Sequence, residues 1–369
     1  MRAAVLTQFG APLTVREVPD PEVGGGEVVV EVLAACVAPY AAEVFSGERN
    51  YPLVPPVVPG VGGLGRVVHV GPDTTRLRPG DLVWCDSTVR SRDDALTPDI
   101  TLQGWSSRGE GGARVARYLH DGSFAELMRV PTENVFPLPA AAGDAPARWA
   151  ALGVHVIPYG GLLAGGLAAG ETLLVSGATG NLGSSAVAVA LAMGAGRVVA
   201  PGRNQAALDL LTDRFGPLVR PVPLTGEEAG DRAALSAAAD GPIDMVIDLL
   251  PPSAPSSAAR TAAMTVREYG RVVLMGGVGM LGGDDLALPY PWIMRNSITV
   301  RGQWMYPRTA NVGIIRLLAS CTLDLATERV RSRLTPPAVR RLPSVTARAD
   351  TGTHPAPVTG DRSAAVRAR

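Results

Sequence analysis

Apolar runs alternate with segments of helical period through the second half of the chain, and this alternation most narrows the folds that the chain can adopt. Such alternation is typical of parallel strands joined by crossover helices. The apolar runs predict strands at residues 172–176, 197–200, 219–224, 243–249, 271–275 and 298–301. The segments between them predict helices at residues 181–193, 205–215, 227–239 and 256–268. We therefore expect an α/β domain built on a doubly wound parallel sheet of six strands.

A glycine-rich segment joins the first of these strands to the first helix. Its residues are Gly177, Ala178, Thr179, Gly180, Asn181, Leu182 and Gly183. Three glycines at this spacing permit a tight turn, a close approach of the backbone to a pyrophosphate, and close packing of the helix on the strand. The amino end of the helix adds free N–H groups and a partial positive charge. The segment predicts a dinucleotide-binding loop, and a glycine-rich turn without a ligand is the alternative.

The residues after the second predicted strand indicate which dinucleotide is bound. An acidic residue there would accept hydrogen bonds from the ribose hydroxyls of NAD. This chain has Arg203 and Asn204 instead, and Asp209 lies too far into the next helix to replace the missing acid easily. A guanidinium can pair with a ribose 2′-phosphate through two hydrogen bonds. We expect NADPH or NADP as the cofactor, and the alternative is that Arg203 only caps an exposed loop.

The first 85 residues are short apolar runs broken by Gly and Pro, which predicts a compact β-rich unit. The runs predict strands at residues 27–33, 65–70 and 82–84. From Asp86 to Ser123 the sequence is polar and rich in Gly, Arg and Asp. Such a segment is expected to be a long exposed loop. The alternative is a lid over a substrate, which Trp105 and Tyr118 would suit.

Charge balance and residue types exclude several classes of function. The 369 residues include 34 basic and 34 acidic side chains, so no net charge favours nucleic acid or an anionic membrane. No lysine is present, which excludes Schiff-base catalysis and the lysine of phosphate-binding loops. Cys36, Cys85 and Cys321 lie far apart and predict neither a disulfide framework nor a multi-cysteine zinc cluster. Because no long apolar stretch is present, we expect a cytoplasmic protein without a membrane or nucleic-acid partner.

The final segment, residues 331–369, differs from the rest of the chain. It contains eight Arg and two Asp, with many Pro, Thr and Ala and no apolar periodicity. Such a composition cannot easily bury a core, so we expect a disordered tail. A genuine basic tail and the product of a reading-frame error are both compatible with this composition.

Four features together resemble the medium-chain dehydrogenase/reductase superfamily, and within it the zinc-free quinone oxidoreductase-like branch. They are residues 1–70, the Pro79-Gly80-Asp81 turn, the pair Tyr159-Gly160 and the loop from Gly177 to Gly183. The resemblance covers residues 1–330. It implies a GroES-like catalytic domain over residues 1–150, a Rossmann NADP-binding domain over residues 151–302, and a return to the catalytic domain over residues 303–330. It also implies a homodimer paired through the sheet edge at residues 298–301.

The resemblance implies further cofactor contacts in the second domain. Asp248 and Leu249 follow the fourth predicted strand, and Gly276, Gly277 and Val278 follow the fifth. By resemblance these residues line the adenosine and the nicotinamide ribose. The alternative for Asp248 is that it caps a helix.

Relatives with a catalytic zinc carry a Cys-His pair, a Gly-His-Glu signature and a later cysteine. Aligned on Ser46-Gly47, this chain has Ala38 and Pro39 in place of the pair, and it has Gly60-Val61-Gly62 in place of the signature. The later cysteine is replaced by Gly153. A catalytic zinc needs about three nitrogen, sulfur or oxygen donors, so we expect no zinc.

The resemblance also implies a candidate proton donor. Tyr40 stands where the dehydrogenases have the hydroxyl residue of their proton relay, and Tyr51 lies on the following loop. Either phenol could polarise a carbonyl group or protonate an enolate, and water is an alternative proton source. The alternatives are that Tyr40 is a core aromatic residue whose hydroxyl bonds to the backbone and that Tyr51 is a rim residue. His155 lies near the expected cleft but is interpreted as structural.

The expected function is zinc-independent, NADPH-dependent reduction of a small quinone, enone or enal by hydride transfer. One alternative is an NADP-dependent alcohol dehydrogenase or carbonyl reductase. Another is a non-catalytic nucleotide-binding protein.

Overall fold

A computed structural model describes residues 1–325 of the chain. The strands of this part are β1 (Arg2–Val5), β2 (Thr14–Glu17), β3 (Glu27–Ala34), β4 (Gly63–Val70), β5 (Leu82–Cys85), β6 (Thr88–Arg90), β7 (Ile100–Leu102), β8 (Ser106–Ser107), β9 (Leu127–Pro131), β10 (Val135–Pro137), β11 (Thr172–Ser176), β12 (Arg197–Gly202), β13 (Val219–Pro223), β14 (Ile243–Asp248), β15 (Val266–Leu274) and β16 (Thr299–Gly302). The helices are α1 (Ala41–Ser46), α2 (Gly109–Tyr118), α3 (Pro146–Trp149), α4 (Leu152–Ala164), α5 (Asn181–Ala192), α6 (Gln205–Phe215), α7 (Glu228–Ala239), α8 (Ser256–Ala263), α9 (Tyr290–Arg295) and α10 (Thr309–Ala319).

The second half of the described chain folds around a parallel sheet with the spatial order β13-β12-β11-β14-β15-β16. Counted within the domain, this is the strand order 3-2-1-4-5-6 of dinucleotide-binding domains. Leu173 and Val175 pack into one core cluster and Leu174 into another, because both faces of the sheet are covered. The α/β doubly wound fold class is confirmed.

Most predicted elements of this sheet lie within one or two residues of the observed ones, but the helix predicted at residues 256–268 and the strand predicted at residues 271–275 do not. The segment 256–268 was expected to be a single helix, whereas α8 ends at Ala263 and β15 begins at Val266. Val266 pairs with Ile243 and is buried in the core beside it. Pairing with a neighbouring strand therefore overrides the local helical pattern at residues 266–268.

The first half is built on an antiparallel sheet with the order β10-β5-β4-β3-β9. Val28 and Val30 of β3 pack against Val67 of β4 and Val83 of β5 in its core. Strands β1 and β2 form a separate antiparallel pair. The expected β-rich unit and its three strands are confirmed.

The polar segment from Asp86 to Ser123 is ordered, so the expectation of a long loop was wrong. Strands β6, β7 and β8 form an antiparallel sheet, and α2 packs on β7. Trp105 is 1% exposed, so it belongs to the core, whereas Tyr118 is 58% exposed on the surface. Neither side chain is placed as a lid. Very short strands give too little periodicity for sequence to reveal them, although their pairing satisfies the backbone.

After β16 the chain returns to the first half. The Tyr306 hydroxyl and the Asn311 amide both donate hydrogen bonds to Asp86, which follows β5. The expected tail at residues 331–369 lies outside the described residues. Within residues 1–325, no helix combines the length and apolar character needed to cross a bilayer.

Candidate active site

The glycine loop lies between β11 and α5, at the carboxyl edge of the parallel sheet. Gly177 has a φ of +85°, a conformation that residues with a side chain rarely adopt. A Cβ atom on Gly183 would lie 2.0 Å from the Gly177 carbonyl oxygen, so only glycine permits this packing of α5 on the loop. The amino end of α5 therefore stays open at the sheet edge, as pyrophosphate binding requires.

The ends of the neighbouring strands meet beside this loop. The Leu249 N–H donates to the Ser176 carbonyl at 3.0 Å, and the Gly277 N–H donates to the Leu250 carbonyl at 2.8 Å. These bonds bring the predicted cofactor residues after β14 and β15 next to the loop. A cavity of about 170 Å³ opens there, lined in part by Asp248, Gly276 and Val278.

Asp248 ends β14 and is buried at the wall of this cavity. Its Oδ1 atom is buried and has no hydrogen-bond partner in the described part of the chain. Burial raises the pKa of Asp248 to about 6, although hydrogen bonds with Ser176 and Leu250 favour the charged form. The carboxyl group can therefore accept a hydrogen bond from a hydroxyl group bound in the cavity. It does not cap the following helix, α8, whose N-cap residue is Pro255.

Arg203 and Asn204 follow β12, as expected, but the structure gives them different positions. The Asn204 side-chain oxygen accepts from the Ala207 N–H at 3.2 Å and caps α6. Arg203 is exposed. A Cβ on Gly202, one residue earlier, would lie 2.7 Å from Thr179, so Arg203 stands beside the glycine loop.

The two tyrosines suggested by sequence lie together in the first half. We define the aromatic cluster as Tyr40, Phe45, Tyr51 and Trp105. Its residues pack in one hydrophobic core together with Met305 of the return segment. The Trp105 ring is edge-on to Tyr40 at a centroid distance of 6.0 Å and to Phe45 at 5.7 Å. The Trp105 Nε1 atom is buried and has no hydrogen-bond partner among residues 1–325.

The Tyr40 phenol is held in its protonated form. Burial raises the pKa of Tyr40 to about 12, and the nearby Tyr51 phenol acts in the same direction. The Arg49 guanidinium, 4.3 Å from the centre of the Tyr40 ring, acts in the opposite direction. At neutral pH the phenol is therefore a hydrogen-bond donor and not a base.

Trp84, at the end of β5, occupies the space between two glycines of the cleft. A Cβ on Gly153 would lie 2.9 Å from the Trp84 ring, and one on Gly62 would lie 3.2 Å from it. The Trp84 Nε1–H donates to the Asn311 side-chain oxygen at 3.1 Å. A fully buried indole thus fills the position between α4 and the start of β4.

The Asn311 contact belongs to a buried polar network that joins the two halves. Asp86 accepts from the Tyr306 hydroxyl at 2.7 Å, from the Asn311 amide at 2.9 Å and from the Thr88 N–H at 2.8 Å. Burial raises the pKa of Asp86, and these donors oppose the rise. Burial and the Asp86 charge also raise the pKa of Tyr306. The network fixes the return segment, and with it Asn311 and Trp84.

His155 is buried within α4, and its Nδ1 atom lies 2.9 Å from the Ala151 carbonyl oxygen. Burial lowers its pKa to about 4, so the ring is neutral at physiological pH. A ring fully enclosed in the helix packing supports its interpretation as a structural residue.

Two family models match the chain, one for each half. Residues 24–140 match the model described as "Alcohol dehydrogenase GroES-like domain". Residues 182–320 match the model described as "Zinc-binding dehydrogenase". The chain belongs to the medium-chain dehydrogenase/reductase superfamily. The GroES-like and Rossmann parts expected by resemblance are thereby confirmed for this dehydrogenase/reductase.

Curated relatives of this dehydrogenase/reductase include alcohol dehydrogenases, an acryloyl-coenzyme A reductase and L-threonine 3-dehydrogenases. An alcohol dehydrogenase of Rhizobium meliloti (strain 1021) is 34% identical over 58% of this chain and 59% of its own length. An alcohol dehydrogenase of Geobacillus stearothermophilus is 33% identical over 59% of this chain and 63% of its own length. An acryloyl-coenzyme A reductase of Metallosphaera sedula is 33% identical over 54% of this chain and 58% of its own length. The matches span less than two thirds of these relatives, and the narrower quinone oxidoreductase-like branch stays a prediction.

Solved structures share the fold. The alcohol dehydrogenase TADH from Thermus sp. ATN1 superposes with a TM-score of 0.73 at 24% identity, over 88% of this chain and 90% of that one. A thermostable alcohol dehydrogenase from Pyrobaculum aerophilum gives 0.67 at 23% identity, with the same coverage of both chains. These similarities support the arrangement of the two halves.

The zinc suggested by the second family description does not fit the residues of this dehydrogenase/reductase. Ala38 and Val61, at two ligand positions, pack on the aromatic cluster and offer no donor atom. Gly62 and Gly153, at two others, face the Trp84 indole. Within residues 1–325, no group of three or more His, Cys, Asp or Glu side chains could hold a metal ion.

Four residues of the site were not predicted from the sequence: Trp84, Asp86, Asn311 and Arg49. Trp84 and Asp86 flank Cys85 at the end of an apolar run, which alone indicates only a buried strand. Their partners lie more than two hundred residues away, at Tyr306 and Asn311. The replacement of ligands by glycines was the one available signal, since a glycine leaves room for a neighbour.

Proposed function

We propose that this chain is an NADP(H)-dependent oxidoreductase that reduces a small carbonyl compound without a bound metal ion. The observation that carries the proposal is the position of the glycine loop at the switch point of the sheet, between β11 and β14, where dinucleotides bind. The aromatic cluster with Tyr40 supplies a protonated phenol in the other half.

The residues of the second half fit a dinucleotide. The loop from Gly177 to Gly183 would hold the pyrophosphate, and Arg203 would pair with a ribose 2′-phosphate. Asp248 has an unused buried acceptor for a ribose hydroxyl. Asn204 contributes to the cofactor site indirectly, because its side-chain oxygen caps the start of α6 and is not offered to the cofactor. When bound, the dihydronicotinamide supplies hydride.

Tyr40 is assigned the role of hydrogen-bond donor to the substrate oxygen. Its pKa of about 12 leaves the phenol protonated at neutral pH, which suits reduction of a carbonyl better than oxidation of an alcohol. Negative charge that develops on the substrate oxygen would be stabilised by the phenol. Tyr51, in the same cluster, is placed as the second phenol that supports Tyr40.

Reversible carbonyl reduction and alcohol oxidation is favoured because alcohol dehydrogenases are prominent among the relatives. Reduction of an activated C=C bond is the second candidate. It is favoured by the acryloyl-coenzyme A reductase relative and by the cleft, in which Trp84 faces the glycines at two ligand positions. Conjugate reduction needs only a donor for the enolate oxygen and a proton, and Tyr40 could provide both.

The test is oxidation of NADPH by the full chain with three panels of acceptors: aldehydes and ketones, enones, and quinones. Each assay is run before and after chelation, with metal analysis of the same samples. We expect turnover that survives removal of metals. Activity that disappears with stoichiometric zinc and returns with it would overturn the proposal. The panel that reacts decides between the two candidates, and NADPH binding without any turnover would favour the non-catalytic alternative.

Tyr40→Phe tests the assigned donor. We expect kcat to fall by about 100-fold or more, since general acid groups contribute on this scale. Tyr118→Phe is the control, because Tyr118 is exposed and lies outside the aromatic cluster. Equal activity of the Tyr40→Phe variant and the wild type would assign proton supply to water.

We also propose a cytoplasmic homodimer paired through β16. All four residues of this edge strand are exposed, and exposed apolar side chains lie near it at Tyr290, Met294 and Val300. Light scattering coupled to size-exclusion chromatography tests the mass. A monomer at micromolar concentration would exclude the dimer.

A further inference from the structure

We propose that Arg49 makes the cleft selective for carbonyl or enone substrates that carry a carboxylate. The proposal rests on the proposed function for the reaction, but the binding selectivity is a separate property of the site. It depends on the position of one guanidinium, its partial pairing and its aromatic surroundings.

Arg49 follows α1 and is nearly enclosed. Its side chain is 12% exposed, and its guanidinium lies 4.3 Å from the centre of the Tyr40 ring. This cation–π geometry fixes the guanidinium plane against the residue assigned as donor. A negatively charged substrate group bound at Arg49 would therefore lie close to the Tyr40 phenol.

The pairing of Arg49 leaves capacity for a ligand. The Nε atom donates to Glu43 Oε2 at 2.7 Å. In the described part of the chain, its two terminal nitrogens donate no hydrogen bond to another residue. These two nitrogens are therefore free to donate to a bound ligand. Two terminal N–H groups in one plane match the two oxygens of a carboxylate.

The surroundings supply the rest of the binding site. The buried Trp105 indole lies edge-on to Tyr40, with a distance of 6.0 Å between the ring centroids. Arg108 follows Ser107 in the sequence, and the Ser107 hydroxyl contacts the Pro52 carbonyl at 3.4 Å. The Arg108 guanidinium lies 5.4 Å from the centre of the Trp304 ring. This second guanidinium also donates to the Pro98 carbonyl oxygen at 3.4 Å, so its charge is partly engaged by other contacts. Glu43 is the carboxylate that already faces Arg49, and it is half exposed.

The experiment compares trans-3-benzoylacrylate, an enone acid, with its methyl ester. Binding to the full chain is measured by calorimetry with and without NADP⁺, which cannot reduce the probe, so the result does not depend on turnover. We expect the wild type to bind the acid at least about tenfold more tightly than the ester. We expect Arg49→Leu to lose that preference and to retain ester binding within about twofold. Arg49→Lys keeps the charge without the planar fork, so it should give an intermediate preference.

Arg129→Leu is the matched control. Arg129 stacks on Tyr118 at 4.6 Å from the ring centre, outside the aromatic cluster, so its loss should leave the acid preference unchanged. Thermal melting of each variant checks that it is folded. A wild type that binds the acid and the ester equally, or an Arg49→Leu variant that weakens both equally, would overturn the proposal. If the acid preference is present but no acceptor is ever reduced, the proposed function fails while the selectivity stands.

Discussion

Two pairs of glycines in this protein have opposite structural roles. Gly177 and Gly183 lie in one loop and keep the amino end of α5 accessible, because a side chain on either would strain the turn or strike the backbone. Gly62 and Gly153 lie far apart in sequence and are covered by the Trp84 ring. The first set makes room for a ligand, whereas the second makes room for a side chain of the protein itself. Glycine at a ligand position of a family therefore indicates loss of the ligand, but not what replaces it.

The energetic consequences of the two sets also differ. The loop glycines pack against backbone atoms, which are those of Leu249 and Leu250 for Gly177 and those of Gly177 and Ala178 for Gly183. These atoms cannot move without distorting the loop or the segment after β14. Gly153 packs against an indole that a single substitution can remove, whereas a Cβ on Gly62 would also lie 2.5 Å from the Cys85 carbonyl oxygen. Effects at the loop should therefore be independent of other side chains, and the effect of a substitution at Gly153 should depend on Trp84.

The largest effect is expected for Trp84→Ala. Removing a fully buried indole leaves a cavity and an unpaired Asn311 oxygen, which should lower the free energy of unfolding by about 3–5 kcal/mol. Urea unfolding of the full chain measures the change. Trp84→Phe, which keeps most of the ring, should lose clearly less. A loss below about 1 kcal/mol for the alanine variant would show that the cleft relaxes around the missing ring.

Asp248→Asn should change the pH dependence of stability by up to about 3 kcal/mol. The pKa of Asp248 is raised from 3.8 to about 6 in the folded protein, so the folded state holds its proton more tightly than the unfolded state. The wild type should therefore lose stability relative to the variant as the pH rises from about 4 to about 7. Unfolding curves at several pH values measure the difference. Parallel pH profiles would argue against a buried, partly unpaired carboxyl group.

Gly183→Ala should disrupt the glycine loop regardless of which side chain stands at position 84 in the cleft. A Cβ 2.0 Å from the Gly177 oxygen cannot be accommodated without a shift, at a cost of about 1–3 kcal/mol in stability. NADPH affinity should fall by at least about tenfold, as measured by calorimetry, since the loop positions the N–H groups. Gly25→Ala is the control, because the nearest atom to its Cβ would be 3.9 Å away. Unchanged NADPH binding in the Gly183→Ala variant would move the cofactor away from this loop.

Gly153→Ala gives the sharpest contrast between the two sets. With Trp84 present, the new Cβ lies 2.9 Å from the indole, and we expect a loss of about 1–3 kcal/mol. In the Trp84→Ala background the same change should stabilise by up to about 1 kcal/mol, because alanine is the better residue inside α4. A double-mutant cycle measured by urea unfolding tests this reversal. Equal effects in both backgrounds would mean that Gly153 serves the helix packing and not the indole.

The smallest effect is expected for Arg203→Ala. The dissociation constant for NADPH should rise by about tenfold, equivalent to about 1.4 kcal/mol, while that for NADH stays constant. Arg220→Ala serves as the control, since Arg220 is an exposed arginine on the neighbouring strand β13. Equal weakening of NADPH and NADH would remove Arg203 from the 2′-phosphate site.

Sequence patterns predicted the parallel sheet well because each strand and helix carries its own periodicity. The glycine loop was recognisable for the same reason, since its three glycines lie within seven residues between a strand and a helix. The extra helix predicted at residues 266–268 and the missed strands β6 to β8 are places where neighbours in space decide the structure. In the site, Tyr40 and Tyr51 were found through a resemblance, and Arg49 was missed because nothing in its local sequence distinguishes it from the other arginines.

By itself, the sequence determined the doubly wound sheet, the glycine loop at its edge, and the absence of donor residues at Ala38, Val61 and Gly153. The tertiary structure alone decided that Trp84 fills the vacated positions, that Asp86 joins the return segment through Tyr306 and Asn311, and that Arg49 lies over Tyr40. The physical reason is the distance along the chain over which each effect acts. Periodicity and glycine conformation act within a few residues, whereas packing volume and buried hydrogen bonds depend on which distant segments the folded chain brings together.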